Sequence, residues 1–403
     1  ERDCYDYFTP ILQNYGLSLR IGNMEDCNNE VLGWSKEHNG LVKALQTHFM
    51  YKGERECVDV FLENGVKVTC TPKHPLLTMN NEWVMAKDLN IHKDKVKASV
   101  NYPVIDIKEE IKECNGWTLE FGSYKLETNN KENYLTTLGF ARIIGYLITD
   151  GHLSLKHKRG CIYLGHMLDV ERCLDDLDKF YYIKQTNYIS KNVFEIRFCS
   201  FFTESILKLK GLIHGKKSTQ PAVLPEFIMD ENCPRPIIRE FLAGLFGGDG
   251  HTCYLGLHRG KRDLLTSISF SQTKSEEHLD SLYKMMKDLQ GLLKKCGIHK
   301  TTIQKHKETT YSKKNLEKNK HKHYQVLLHL DISELVPFSE KIGFRYCCHK
   351  SQRLAAGVAY RRLRENVVRQ REWLSKRVDK LTNFSEIKRK NPKKIVGTKK
   401  AIQ

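Results

Sequence analysis

Two aspartates carry the first chemical possibility in this chain. Asp150 closes the run Ile143-Ile144-Gly145-Tyr146-Leu147-Ile148-Thr149, Asp249 closes Leu242-Ala243-Gly244-Leu245-Phe246-Gly247-Gly248, and each acid is followed by Gly and then His. They lie 99 positions apart, so each run can head a subdomain of ordinary size. Small residues four apart (Ala141 with Gly145, Ala243 with Gly247, Gly244 with Gly248) leave a helix face flat enough for close backbone approach. Two such helices packed in parallel would bring Asp150 and Asp249 together at their C-terminal ends, where the helix dipole is negative and a second carboxylate adds repulsion. A hard divalent cation relieves that strain, and Mg²⁺, which keeps several waters, can position a nucleophile for phosphodiester attack. Asp-Gly is also an ordinary helix stop, so one copy alone would read as a core helix. Two copies, each followed by a basic and strand-like stretch, favour the metal reading.

At these residues the chain resembles the LAGLIDADG (DOD-type) homing endonucleases in their single-chain, two-motif form. The resemblance implies two αββαββα halves about a pseudo-twofold axis, with a saddle of antiparallel strands in the DNA major groove. It implies Mg²⁺- or Mn²⁺-dependent double-strand cleavage, with Asp150 and Asp249 as catalytic metal carriers and Gly151 and Gly250 beside them in the metal site. The first copy departs from the motif at Ile148 and Thr149. The implied partner is double-stranded DNA with a long asymmetric site, bound by a monomer that is an internal pseudo-dimer.

The elements around the motifs fit that expectation. Strand-like stretches run from Cys161 to Gly165 and Val193 to Cys199 after the first motif, and from Tyr254 to His258 and Leu265 to Ser271 after the second, the latter pair joined by Arg259-Gly260-Lys261-Arg262. Ser275 to Cys296 carries apolar residues at helical spacing. A lysine-rich stretch, Lys305 to Lys322, separates the strand-like Thr301 to Gln304 from Tyr324 to Leu330 and suits a phosphate grip. Further on, Gly343-Phe344-Arg345-Tyr346-Cys347-Cys348-His349-Lys350 resembles the close of the second half in intein endonucleases, with Lys350 a candidate near the scissile phosphate. Ser351 to Leu381 then reads as a long, basic, amphipathic helix.

Charge narrows the partners. With 66 Lys plus Arg against 48 Asp plus Glu, the formal net charge is +18, which favours polyanions and steeply salt-dependent binding. Arg142 interrupts the best apolar run, so no membrane partner is expected, and the chain reads as intracellular. The 13 cysteines contain no CxxC pair, so spacing indicates neither a zinc nor a redox motif, and most read as buried apolar residues.

The region before residue 130 reads as a small all-β domain. Short alternating runs cover Leu32 to Trp34, Val58 to Leu62, Val66 to Cys70 and Val96 to Val100, with a hairpin signal at Asn64-Gly65. Within it, Cys70-Thr71-Pro72-Lys73-His74 precedes Trp83-Val84-Met85-Ala86-Lys87-Asp88-Leu89, and Glu30-Val31-Leu32-Gly33 follows Cys4 at some distance. This order resembles the Hint fold of inteins. The resemblance implies that the Cys4 thiol attacks the Asp3 carbonyl in an N–S acyl shift, that His74 protonates the departing amide nitrogen, and that Thr71 polarises the scissile peptide. Host exteins are then partners in cis. Glu1-Arg2-Asp3 ahead of Cys4 resembles a stretch of the second-largest subunit of DNA-directed RNA polymerase, which would make the host nuclear.

The expected layout is therefore an extein remnant at 1–3, a Hint domain at 4–128, the endonuclease at 129–382 with halves of about 129–232 and 233–382, and a basic linker at 383–403. Lys399-Lys400-Ala401-Ile402-Gln403 holds no His-Asn pair, so the expectation is an incomplete Hint domain limited to the first acyl shift. Two other readings stay open: a DNA-binding protein on the same fold without cleavage, and an autoprocessing module whose endonuclease has decayed.

Overall fold

A computed structural model of the chain describes residues 3–13, 17–37, 40–62, 66–97, 103–181, 186–190, 193–258, 261–305, 307–308 and 322–381. Its centre is a pair of helices, Lys131–Asp150 and Arg235–Asp249, which end on the two aspartates. The first begins where the Asn130 side chain accepts from Asn133 N–H, and the second begins after Pro234 with Pro236 in its first turn, where a missing N–H costs nothing. Their contact is made by glycine. A Cβ on Gly145 would stand 2.1 Å from the Phe241 carbonyl oxygen, one on Gly244 2.2 Å from that of Arg142, and one on Gly248 1.8 Å from Thr149 Oγ1. Gly247 points elsewhere, onto the Arg345 carbonyl. An alanine at Gly145 or Gly244 would force the two backbones apart.

Each motif helix is followed by the same topology. In the first half, strands Gly151–Ser154 and Arg159–Leu164, helix Met167–Leu177, strands Thr186–Ser190 and Val193–Arg197, and helix Ser200–Ile206 follow in turn. The second half repeats this with Gly250–His251, Ser269–Ser275, Leu279–Lys295, Thr301–Ile303, His323–Leu330 and Leu335–Lys341. Both antiparallel sheets run in the spatial order first, second, fourth, third. The αββαββα expectation thus appears twice, with one continuous core beneath it. Ile143, Ile144 and Leu147 share this core with Phe241, Leu245 and Phe246, all 2% exposed or less. Full burial of a side chain of this size is worth roughly 1.5–3 kcal/mol.

Three details depart from the sequence expectation. Leu255–His258 pairs with Lys261–Leu265 as a separate hairpin, while Ser269–Ser275 is an independent strand of the main sheet, so the second half carries an insert that the first lacks. The region before residue 130 is not wholly β: Ile107–Cys114 is a helix, opened by Asp106 accepting from Glu109 N–H and closed by Asn115 in the left-handed conformation. Its buried Ile107, Glu110 and Cys114 lie at helical spacing, a pattern short enough to be lost among strands. The hairpin Thr118–Phe121 with Tyr124–Glu127 also places Phe121 and Leu126 in the core of the motif helices.

Before residue 106 the described elements are strands and two short 3₁₀ turns. Pro10–Leu12, Ser18–Arg20 and Val104–Ile105 form one small sheet, and Glu30–Ser35 with Gly40–Leu45, Val58–Phe61 with Lys67–Cys70, and Pro75–Leu77 with Trp83–Met85 form hairpins. Leu17, Leu19 and Ile105 pack with Tyr134 and Leu138 of the first motif helix, so the β region is seated on that helix. The final helix runs from Cys348 to Leu381. The Asn64-Gly65 and Arg259-Gly260 turns, most of the Lys305 to Lys322 stretch and the 383–403 tail lie outside the described residues.

Candidate functional site

Packing in parallel delivers Asp150 and Asp249 to one end of the helix pair. Asp150 is accessible at the rim and Asp249 is half-buried. Water lost where Asp150 meets the end of the second helix raises its carboxyl above the usual range, and burial together with the neighbouring Asp150 pushes Asp249 up to about 6. Gln272 Nε2, from the second strand of the second half, donates to Asp249 Oδ2 at 3.4 Å. Strand registers Gly151↔Ile162 and Gly250↔Phe270 make Leu164 the counterpart of Gln272, so the first acid has an apolar side chain where the second has an amide.

Two lysines complete the arrangement. Lys217 Nζ donates to the carbonyls of Leu147 and Ile148 at 2.9 Å, Thr149 at 3.0 Å and Gly151. Lys350 Nζ donates to Phe246 at 3.4 Å, Gly247 at 2.7 Å and Gly248. Each ammonium therefore sits on the negative end of one motif helix. Burial lowers both, Lys217 to about 8, while both aspartates draw them back toward the charged form. Lys274, also lowered to about 8 by burial, donates at 2.5 Å to the Lys217 carbonyl. A cavity of about 400 Å³ opens beside Asp249, lined by Lys217, Gln272, Lys274 and Leu147 among others.

The structure brings Asp150, Asp249 and Lys350, which the sequence singled out, to one place with Lys217, which it did not. A signal existed in the dipeptides Lys217-Ser218 and Lys350-Ser351, which follow the two halves. Gly151 and Gly250 stand where expected, directly after the acids; the Gly151 carbonyl accepts from Lys217, and Gly250 N–H caps the second helix on the Phe246 carbonyl.

A buried ion network fixes the helix pair behind the acids. Arg142 Nε and Nη2 meet both oxygens of Asp176 at 2.9 and 2.7 Å, and its Nη1 meets Glu240 Oε2 at 2.9 Å. Glu240 also receives Arg239 at 2.9 Å and Arg345 at 3.0 and 3.1 Å, which holds its carboxyl down at about 2. Arg239 reaches on to Glu110, and Tyr346 Oη donates to Asp176 at 2.6 Å. Arg142, which the sequence marked only as an interruption of an apolar run, is one of the most deeply buried side chains.

A second cluster forms in the β region. Cys4 N–H donates to Thr71 Oγ1 at 3.0 Å, Thr71 N–H donates to the Cys4 carbonyl at 2.9 Å, and His74 N–H donates to the Thr71 carbonyl at 2.9 Å. The His74 ring lies 3.9 Å from that of Tyr5, and burial lowers its pKa. His74 Nδ1 is buried with no hydrogen-bond partner among the described residues. The fold thus brings together Cys4, Thr71 and His74, which are up to 70 positions apart.

A tRNA-splicing ligase RtcB of Methanopyrus kandleri is 26% identical over 84% of this chain and 34% of its own length. A replication factor C small subunit of Methanocaldococcus jannaschii is 30% identical over 38% of this chain and 9% of its own. The chain spans about a third of the length of the ligase relatives it matches. Among solved structures, I-DmoI in complex with DNA and Mn has a TM-score of 0.29 at 9% identity, over 51% of this chain and 97% of that one. No helix among the described residues is long and apolar enough to cross a membrane. Residues 236–343 match the family model of the LAGLIDADG-like domain.

Proposed function

We propose that the chain is a site-specific DNA endonuclease of the LAGLIDADG homing type, carried inside an intein. The observation that carries the reading is the convergence of Asp150 and Asp249 at the ends of two glycine-packed helices, each end closed by its own lysine. The donor set suits a hard dication: two carboxylates with raised pKa values, of which Asp249 feels the charge of Asp150. Asp150 and Asp249 would hold Mg²⁺ or Mn²⁺, with the Gly151 and Gly250 backbone beside them. A bound dication supplies Lewis-acid polarisation of a phosphoryl oxygen and a more acidic water. The chain's own part is to orient the two carboxylates rigidly and to hold Lys217 and Lys350 as fixed positive charges near developing phosphate charge. Two acids and two lysines on a pseudo-twofold axis match two strands cut by one monomer on a long asymmetric site.

The β region supports the splicing half of the proposal through the Cys4, Thr71 and His74 cluster. In an N–S acyl shift the Cys4 thiol gives its proton to His74 as its sulfur bonds to the Asp3 carbonyl carbon, the Asp3–Cys4 C–N bond breaks, and His74 passes that proton on to the freed amine of Cys4. Thr71 Oγ1, bonded to Cys4 N–H, orients that peptide. Partial matches to two differently named proteins, a third of one and a tenth of the other, are what one element inserted into different host chains would give. The RNA polymerase host rests on Glu1-Arg2-Asp3 alone.

The test is incubation with Mg²⁺ and linear DNA spanning the uninterrupted host junction, for each candidate host. Cutting at the junction supports the reading. Salt-sensitive binding with no cutting at any junction would favour the DNA-binding alternative.

A further inference from the structure

We infer that His166, Asp169 and Cys348 form a transition-metal site, suited first to Zn²⁺, that fastens the start of the C-terminal helix to the first half. One donor atom from each residue lies within 4.8 Å of the other two. His166 is the N-cap of helix Met167–Leu177 and Asp169 lies in its first turn, while Cys348 opens the final helix 179 positions beyond Asp169. Because the ligands come from segments this far apart, no CxxC-like spacing announces them. The two segments are already in register: Cys348 N–H donates to Asp169 Oδ1 at 2.8 Å.

A nitrogen, an oxygen and a thiol sulfur make a borderline donor set of the kind Zn²⁺ takes in four-coordinate sites. Asp169 and Cys348 are buried and His166 is exposed, so three protein ligands would face a fourth position open to water. His166 Nδ1 accepts from Leu168 N–H at 3.1 Å, which orients the ring over the helix start; metal binding would exchange that single cap for a coordinate bond.

The other half of the molecule supplies an independent argument. The strand registers that equate Leu164 with Gln272 place His166, two residues on, at the station of Lys274. There the buried Lys274 ammonium bonds the carbonyl of Lys217, the lysine that closes the first motif helix. The second half therefore holds a built-in cation at this station, beside the segment bearing one site lysine. The first half replaces it with His166 and surrounds it with a carboxylate and a thiol, two residues before Lys350. A bound metal would do for the Lys350 segment what Lys274 does for the Lys217 segment.

The site is separate from the aspartate pair and does not depend on the cleavage reading. The experiment is to strip the full chain with chelator and titrate it with Co²⁺ as a spectroscopic stand-in, then with Zn²⁺. The expected result is one equivalent of Co²⁺ with thiolate charge-transfer absorption, displaced by Zn²⁺ and unaffected by excess Mg²⁺. The signal should vanish in Cys348→Ser and fall at least tenfold in affinity in His166→Asn, a surface change that leaves the core intact. It should persist in the Asp150→Asn, Asp249→Asn double variant. Absence of the absorption, or its survival in both Cys348→Ser and His166→Asn, would overturn the assignment.

Discussion

Lys217 and Lys350 hold matching stations, each with its ammonium bonded to the last carbonyls of one motif helix and each drawn toward the charged form by both Asp150 and Asp249. An ammonium so placed offsets the helix dipole and leaves the carboxylates free for a cation. Replacing either lysine by methionine removes one fixed charge beside the two carboxylates, where the proposed cleavage would put the phosphate, while keeping the packing of the stem. Double-strand cutting should fall about 100-fold in each single variant, the scale of one lost electrostatic stabiliser. DNA affinity should fall by less than about tenfold, because many other charges bind the backbone. Single-turnover cleavage beside filter binding separates the two effects.

Asp249 sets a pH dependence. Its carboxyl, pushed up to about 6, must ionise to hold a dication, so metal-dependent cutting should decline about tenfold per unit as pH falls below that value. Stability runs the other way. A carboxyl raised in the folded state favours folding below its unfolded value and loses that contribution as pH rises through the folded one. Asp249→Asn should therefore stabilise the metal-free protein at neutral pH by about 1–2 kcal/mol, visible as a higher Tm that Mg²⁺ no longer raises.

Glu240 neutralises three buried arginines, so Glu240→Gln should be severe. Breaking one member of a buried ion network leaves charges without a partner and costs about 3–5 kcal/mol. The Glu240 carboxyl is held near 2, so its contribution is present above the unfolded value and is lost as pH falls toward the folded one. Urea unfolding at pH 7 and pH 3 should show a gap between parent and variant that narrows at the lower pH.

The β-region cluster predicts a thiol-dependent break before Cys4. With a reporter domain fused ahead of Asp3, excess dithiothreitol should release the reporter from the parent and not from Cys4→Ala. His74→Ala should slow release about 10²- to 10⁴-fold, the range for loss of a general acid. Equal release from all three proteins, followed by mass spectrometry, would remove His74 and Cys4 from that role.

The acids were legible in the sequence because the chain repeats them: two apolar runs ending in Asp-Gly-His announce two equivalent helices. The strands flanking Cys161 and Val193 were legible from alternation, and so was helix Leu279–Lys295 from its period. Lys217 was not, because its role depends on where a loop returns to the helix end rather than on periodicity. Arg142 and Glu240 were not, because a charge inside an apolar run reveals its partner only when a second helix is packed against it. The Leu255–Leu265 hairpin was misread because its turn falls within a basic stretch that also suits a simple connection between two longer strands.

The central claim is that Asp150 and Asp249 together make the chain a nuclease, and one comparison tests it most directly. DNA carrying the uninterrupted host junction is incubated with Mg²⁺ and either the parent chain or the Asp150→Asn, Asp249→Asn double variant, with binding measured in Ca²⁺. The account predicts cutting of both strands by the parent, none by the variant, and binding by both. Equal cutting by the double variant would contradict it.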